Sequence, residues 1–205
     1  MSSHRNASLE LASRDRVIAQ LYERHGPMPT PARVPVAARF ETLARTIAHQ
    51  QLAGRAAATI WGRVRACVEG PFTPEALLSV EVAELRAAGL SGAKVTSVLD
   101  LATAATDGRL QLDRLGRLPD EEVIEQLVVV RGIGPWSAQM FLMHALARLD
   151  VWPAGDLGVQ VGYARAHHLD RPPTARDLEA LGERFRPFRS VAAQYFWRSA
   201  DDPEG

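Results

Sequence analysis

This sequence predicts an all-α fold, on three observations. Apolar residues recur at helical spacing along nearly the whole chain. Prolines and glycines cluster between those periodic segments, where they act as stops. No run of β-branched residues is long enough for a strand; the one that invites it, Leu127 to Val130, is four residues beside a glycine turn.

Taken in order, Leu9 to Arg24 reads as an amphipathic helix closed by His25-Gly26-Pro27. Residues 26–35 hold four prolines, which exclude a helix interior and predict an extended connection. Val36 to Leu52 and Arg55 to Val68 follow as helices broken near Gly54, and Gly70-Pro71 ends the second. Thr73 caps a helix beginning on Pro74, because proline at the first helical position gives up an amide that has no partner there. Val82 to Ala88 stops at Gly89, Ser91 to Thr106 stops at Asp107-Gly108, and Leu118-Pro119-Asp120 leads into Glu121 to Val128. A glycine-rich turn at Arg131–Gly134 precedes a strongly apolar helix from Pro135 to Leu149. Pro153-Ala154-Gly155 breaks the chain before a helix from Asp156 to His167, and helices over 175–184 and 188–200 follow a loop at 171–173.

The 205 residues suit one compact domain or two small lobes, and 46% hydrophobic with 23% charged residues is the balance of a folded globular protein. A formal net charge of zero excludes a protein that coats nucleic acid by bulk charge, so any basic surface must be local. The single cysteine, Cys67, excludes an internal disulfide, the usual structural zinc site and an iron–sulfur cluster. Lys94 is the only lysine among 24 basic residues, which leaves one side-chain amine for chemistry. No apolar run approaches the roughly 18 residues that cross a bilayer, and the N-terminus lacks the apolar core of a secretory signal. A cytoplasmic address without a membrane partner is therefore expected.

Two strings carry the chemistry. In LVVVRGIGPWSAQMF, residues 127–141, Gly132 and Gly134 flank Ile133 and let the backbone turn sharply and approach another surface. Pro135 then starts a helix whose first amides have no intrahelical partner and favour an anion, a DNA phosphate included. A bare Gly-x-Gly is more often a plain tight turn between two helices. In WPAGDLGVQVG, residues 152–162, a glycine- and proline-rich loop delivers Asp156 to a helix start, 22 residues after Gly134. On that spacing alone Asp156 is an N-cap, worth about 1 kcal/mol.

Three further segments are less specific. TIAHQQLAGRAAATIWGRV, residues 46–64, lies in the acid-free stretch from Thr42 to Val68 with Arg45, Arg55, Arg63 and Arg65, which suits a solvated helix pair as well as a local basic surface. GLSGAKVTSVLDLA, residues 89–102, reads as a helix capped by Ser91, with no chemistry. RPFRSVAAQYFWRSAD, residues 186–201, interleaves Arg186, Arg189 and Arg198 with Phe188, Tyr195, Phe196 and Trp197, as a terminal helix packing aromatics into a core would.

Taken together, these motifs resemble the helix-hairpin-helix, Gly/Pro-rich loop, aspartate superfamily of DNA glycosylases over about residues 36–201, and within it the alkylated-base, 3-methyladenine DNA glycosylase II branch. The resemblance implies that Asp156 is the catalytic carboxylate. It implies that Gly132, Ile133 and Gly134 hold one DNA strand through backbone amides, without reading sequence. Gln51, or Leu52 beside it, would fill the gap left by an extruded nucleotide. Trp197 would lie beside the flipped base and Trp136 on the pocket wall. The implied fold is two-lobed, with residues 36–150 a central lobe ending in the hairpin, 1–35 plus 151–205 a second lobe, and the active site in the cleft between them.

The implied partner is double-stranded DNA containing alkylated bases, acted on by a monomer. No cofactor and no catalytic metal are expected, although related hairpins hold a Na+ or K+ ion through carbonyls that would here be near Val128, Val130 and Ile133. Bifunctional relatives carry a lysine at the position of Trp136, so a monofunctional enzyme leaving an abasic site is expected. The chain departs from larger members in having no room for an N-terminal β-rich domain. It departs from others in placing Leu157-Gly158 directly after the aspartate, where they have an aromatic residue. Two other readings stay open: a non-catalytic helix-hairpin-helix DNA-binding module with no use for Asp156, and a glycosylase of the same superfamily for another damaged base.

Overall fold

The computed structural model describes residues 3–52 and 54–202, and those residues form helices and connections with no strand. The helices are α1 (His4–Arg14), α2 (Arg16–His25), α3 (Val36–His49), α4 (Gly54–Ala66), α5 (Pro74–Leu78), α6 (Val82–Ala87), α7 (Gly92–Thr106), α8 (Asp120–Val128), α9 (Pro135–Met140), α10 (Leu157–Ala166), α11 (Ala175–Gly182) and α12 (Arg189–Asp201).

Several boundaries differ from the sequence reading, the start of α1 at His4 rather than Leu9 among them, and three of the differences have a local reason. The helix expected over Leu9–Arg24 is two, because Asp15 takes an extended backbone and its Oδ1 accepts from Val17 N (2.9 Å) and Ile18 N (3.0 Å). Aspartate offers its neighbours' amides an alternative to the helix ladder. Leu11, Ile18 and Leu21 are buried on both sides of the break, which is why the apolar spacing runs through it. Next, α3 stops at His49 rather than Leu52, and Gln51 adopts a left-handed φ of 58°. Ala53, in the same segment, lies outside the described residues. Finally, α9 ends at Met140; Phe141–Ala145 continues as a wider π-helical turn, and Arg148 N then donates to Leu142 O (2.9 Å).

The chain divides into two compact units, Met1–Ala32 with Leu142–Gly205, and Arg33–Phe141. The sequence reading drew its boundaries at 35/36 and 150/151; the second observed boundary falls inside the π-helical turn.

The first unit is built on α12, whose residues Val191 to Phe196 are all buried. Helix α10 crosses it with backbone against backbone: a Cβ at Gly162 would sit 1.7 Å from Phe196 O. Only glycine permits that approach. Trp152 packs its ring on Phe185 and Phe196 and donates Nε1–H to Leu178 O (2.8 Å), anchoring the loop that runs to Asp156. The proline-rich connection is pinned by Tyr195 Oη donating to Gly26 O (2.9 Å), Met28 N donating to Ser8 Oγ (3.0 Å) and His4 N donating to Thr30 Oγ1 (3.2 Å).

The second unit packs α3 against α7 through Phe40, Leu43 and Ile47 on one side and Val95, Val98 and Leu101 on the other, all buried. Phe72 closes this core between Phe40 and Trp61, with ring centroids 5.7 Å and 5.2 Å away. Helices α8 and α9 form the hairpin, joined by a turn whose Val130 and Ile133 are buried.

His4 is only 1% exposed, and its Nε2 has no hydrogen-bond partner among the described residues. Burial, with repulsion from His144 second, holds its pKa below the ordinary 6.5. The unfolded chain therefore takes up a proton before the folded one does, so stability is lost as pH falls below about 6.5 and levels off below the folded-state pKa. Thermal melts between pH 7.5 and 5 should show Tm falling by a few degrees, and His4→Leu should flatten that fall.

Candidate active site

Asp156 is placed by the loop before it and by the helix after it. Asp156 N donates to Pro153 O (2.9 Å), and the Gln160 amide reaches back to Ala154 O (2.9 Å), so the loop is closed on itself. The side chain caps α10, its Oδ1 accepting from Val159 N at 2.9 Å. The same oxygen accepts a second hydrogen bond, 2.8 Å, from Nε1 of Trp197 on α12. Two donors from two helices hold this half-buried carboxylate in one rotamer, and bonds to a charged acceptor are the stronger kind.

Gly158 makes the second bond sterically possible. A Cβ there would meet Trp197 Cδ1 at 2.9 Å and Asp156 Oδ1 at 3.0 Å. The Leu157-Gly158 pair, met in the sequence only as a departure, thus leaves space for an indole against the carboxylate.

Trp197 is half-buried and stacks on His144 with centroids 5.9 Å apart and planes 26° from parallel. Both rings line a hollow of about 260 Å³, whose wall also includes the charged side chains of Arg198 and Asp201. Desolvation by the surrounding atoms holds the His144 pKa below 6.5, so the ring is neutral at pH 7 although the residue is exposed. Sequence reasoning missed this histidine. It projects from the π-helical turn, and an unbroken helix through Leu149 would have rotated it elsewhere; such wide turns recur at functional sites.

The second unit gathers other predicted residues. Trp136, in the first turn of α9, is 49% exposed. It lines a hollow of about 530 Å³ together with Arg45, Thr46, His49, Gln50, Gln51 and Ser137. Gln51 and Leu52 are both exposed in the turn after α3. Gln50 ties that turn to the hairpin, its Nε2 donating to Gly132 O at 2.9 Å. Gly132 has a φ of 81°, and a Cβ on it would lie 2.6 Å from Ser97 Oγ, so the position requires glycine on two counts. Gly134 caps α9 without a side-chain hydrogen bond.

Lys94 also departs from the sequence reading, which gave its segment no role. Its Nζ donates to Ala48 O (2.7 Å) and Gln50 O (2.6 Å).

The profile of HhH-GPD superfamily base excision DNA repair proteins matches residues 44–187. The chain is 37% identical over 164 residues to a Schizosaccharomyces pombe protein named DNA-3-methyladenine glycosylase 1, an alignment covering 78% of this chain and 72% of that protein. The solved structure of the 3-methyladenine DNA glycosylase of the same yeast in complex with abasic DNA is similar with a TM-score of 0.81 at 33% identity, over 94% of this chain and 95% of that one. A DNA-3-methyladenine glycosidase from Bacillus halodurans is similar with a TM-score of 0.85 at 32% identity, over 98% and 92% of the two chains.

The glycine at 158 has a spectroscopic test. In ¹H–¹⁵N correlation spectra the Trp197 indole N–H should resonate downfield as a hydrogen-bonded donor and move upfield in Gly158→Ala. Gly155→Ala, whose Cβ would meet nothing within 4 Å, should leave the signal in place.

Proposed function

We propose that this chain, which belongs to the HhH-GPD superfamily of base excision DNA repair proteins, is a monofunctional DNA glycosylase. In this reading it excises alkylated purines of the 3-methyladenine type, acting as a monomer on double-stranded DNA. The observation that carries the proposal is the Asp156 carboxylate, clamped by Val159 N and by the Trp197 indole, which with His144 also lines the neighbouring hollow.

Breaking an N-glycosidic bond builds positive charge on the sugar. A fixed carboxylate beside C1′ stabilises that charge without having to reorganise, and it can orient the attacking water. The C1′–N bond breaks with its electron pair leaving on the purine, and the water oxygen bonds to C1′. The proton released passes by way of the carboxylate to solvent. A purine alkylated at N3 or N7 departs neutral because it was cationic while attached, so one carboxylate suffices.

Such a cation is also attracted to the faces of electron-rich rings, by about 0.5–2 kcal/mol or more when desolvated. Trp197 with neutral His144 supplies one stacked pair of rings, and Trp136 supplies an exposed indole. The hairpin amides around Gly132–Gly134 would take a phosphate, and Gln51 or Leu52 would fill the stack the base leaves. The Lys94 ammonium, held by two carbonyls, is not the free amine a Schiff-base strand cleavage needs, which supports a product that stops at the abasic site. The hydrolysis needs no cofactor. A monovalent ion at the hairpin carbonyls of Val128, Val130 and Ile133 would be structural only, and Ile133 N already closes that turn on Val130 O (3.1 Å).

Methylated duplex DNA incubated with the protein should release free 3-methyladenine and 7-methylguanine, read by chromatography, and leave alkali-labile sites. Asp156→Asn removes the charge at nearly constant volume and should lower release by roughly 10²–10³-fold or more, with DNA affinity within a few-fold of the wild type. Equal release by both proteins would remove Asp156 from the chemistry. DNA binding without any release would favour the non-catalytic module.

A further inference from the structure

One face of α7 touches both functional turns of the second unit. Lys94, in its first turn, sends Nζ to the carbonyls of Ala48 and Gln50, at the C-terminus of α3. A cation there satisfies carbonyls the helix leaves open and complements its dipole. Six residues along α7, Asp100 Oδ2 accepts from Arg131 N in the hairpin turn (2.7 Å), and between them Ser97 packs against Gly132. Positions 94, 97 and 100 share a helix face, and the span from first to last is about 9 Å along the axis.

The turn that Lys94 grips needs such support. Gln51 follows directly on Gln50 and holds a left-handed backbone, a conformation unfavourable to an L-residue. A side chain driven into a base stack must be backed by something rigid, because unstacking costs a few kcal/mol. Here the backing is α7, seated in the core through Val95, Val98 and Leu101, whose Lys94 ammonium grips the turn that the Gln50 amide ties to the hairpin.

We propose that Lys94 is a positioning residue for nucleotide extrusion: it sets the 50–52 turn at a fixed distance from the hairpin, so that Gln51 or Leu52 enters the duplex where the hairpin holds the strand. This role rests on the glycosylase reading above. It acts before bond cleavage and leaves the Asp156 chemistry untouched.

The test compares single-turnover release of 7-methylguanine paired with cytosine and of the same lesion opposite a non-pairing base, where extrusion is easier. Lys94→Met should slow the paired substrate roughly tenfold or more, and slow the mispaired one by no more than about threefold. Lys94→Gln, which keeps one neutral donor, should show the same split at smaller size, and stands in if Lys94→Met fails to fold. A 2-aminopurine beside the paired lesion should lose fluorescence gain on binding in step with the rate. Equal slowing of both substrates would reduce Lys94 to a fold stabiliser and overturn the proposal, as would an unchanged paired rate. Release from neither substrate by the wild type would overturn the glycosylase reading itself, and this role with it.

Discussion

Oxygen Oδ1 of Asp156 accepts from a backbone amide of its own helix and from an indole on another, at 2.9 Å and 2.8 Å. Several features of the first unit support that pair of hydrogen bonds. Trp152 anchors the loop before the aspartate, Gly162 lets α10 lie against α12 at backbone distance, and Gly158 opens the gap the indole fills. The indole, once fixed, becomes a wall of the neighbouring hollow and a platform for His144. The hollow's indole wall and the carboxylate are therefore joined by a direct hydrogen bond.

The second unit solves a different problem, that of presenting turns rigidly. Among its exposed residues are a left-handed glutamine and a left-handed glycine, conformations that a loose chain abandons. The residues before them, Gln50 and Arg131, are bonded from behind by Lys94 and Asp100 of α7, and Ser97 stands against Gly132. One face of a scaffold helix thus sets where both turns stand. Functional constellations need such support to stay within a fraction of an ångström of working geometry.

Much of this was legible in the sequence, and the reasons for what was not are physical. The all-helical fold followed from apolar spacing and from where prolines and glycines fall, and the Thr73, Ser91 and Asp156 caps followed from side-chain chemistry; the structure has all of them. Asp15 escaped notice because the buried residues on both sides keep helical phase. The π-helical turn escaped because no residue type marks it, and with it went His144. Lys94 and Gly158 escaped for another reason. Their importance lies in partners 44 and 39 residues away, at Gln50 and Trp197, and no local pattern encodes a long-range contact.

In the proposed mechanism the Trp197 N–H holds the Asp156 carboxylate in its reacting orientation. The direct measurement is the single-turnover rate of base release by Trp197→Phe, which keeps an aromatic face and removes the donor. Loss of a hydrogen bond to a charged group should slow release by roughly 10- to 100-fold, with affinity for an abasic-site duplex unchanged. A Trp197→Phe protein as fast as the wild type would contradict the account, because the carboxylate would then need no indole to hold it.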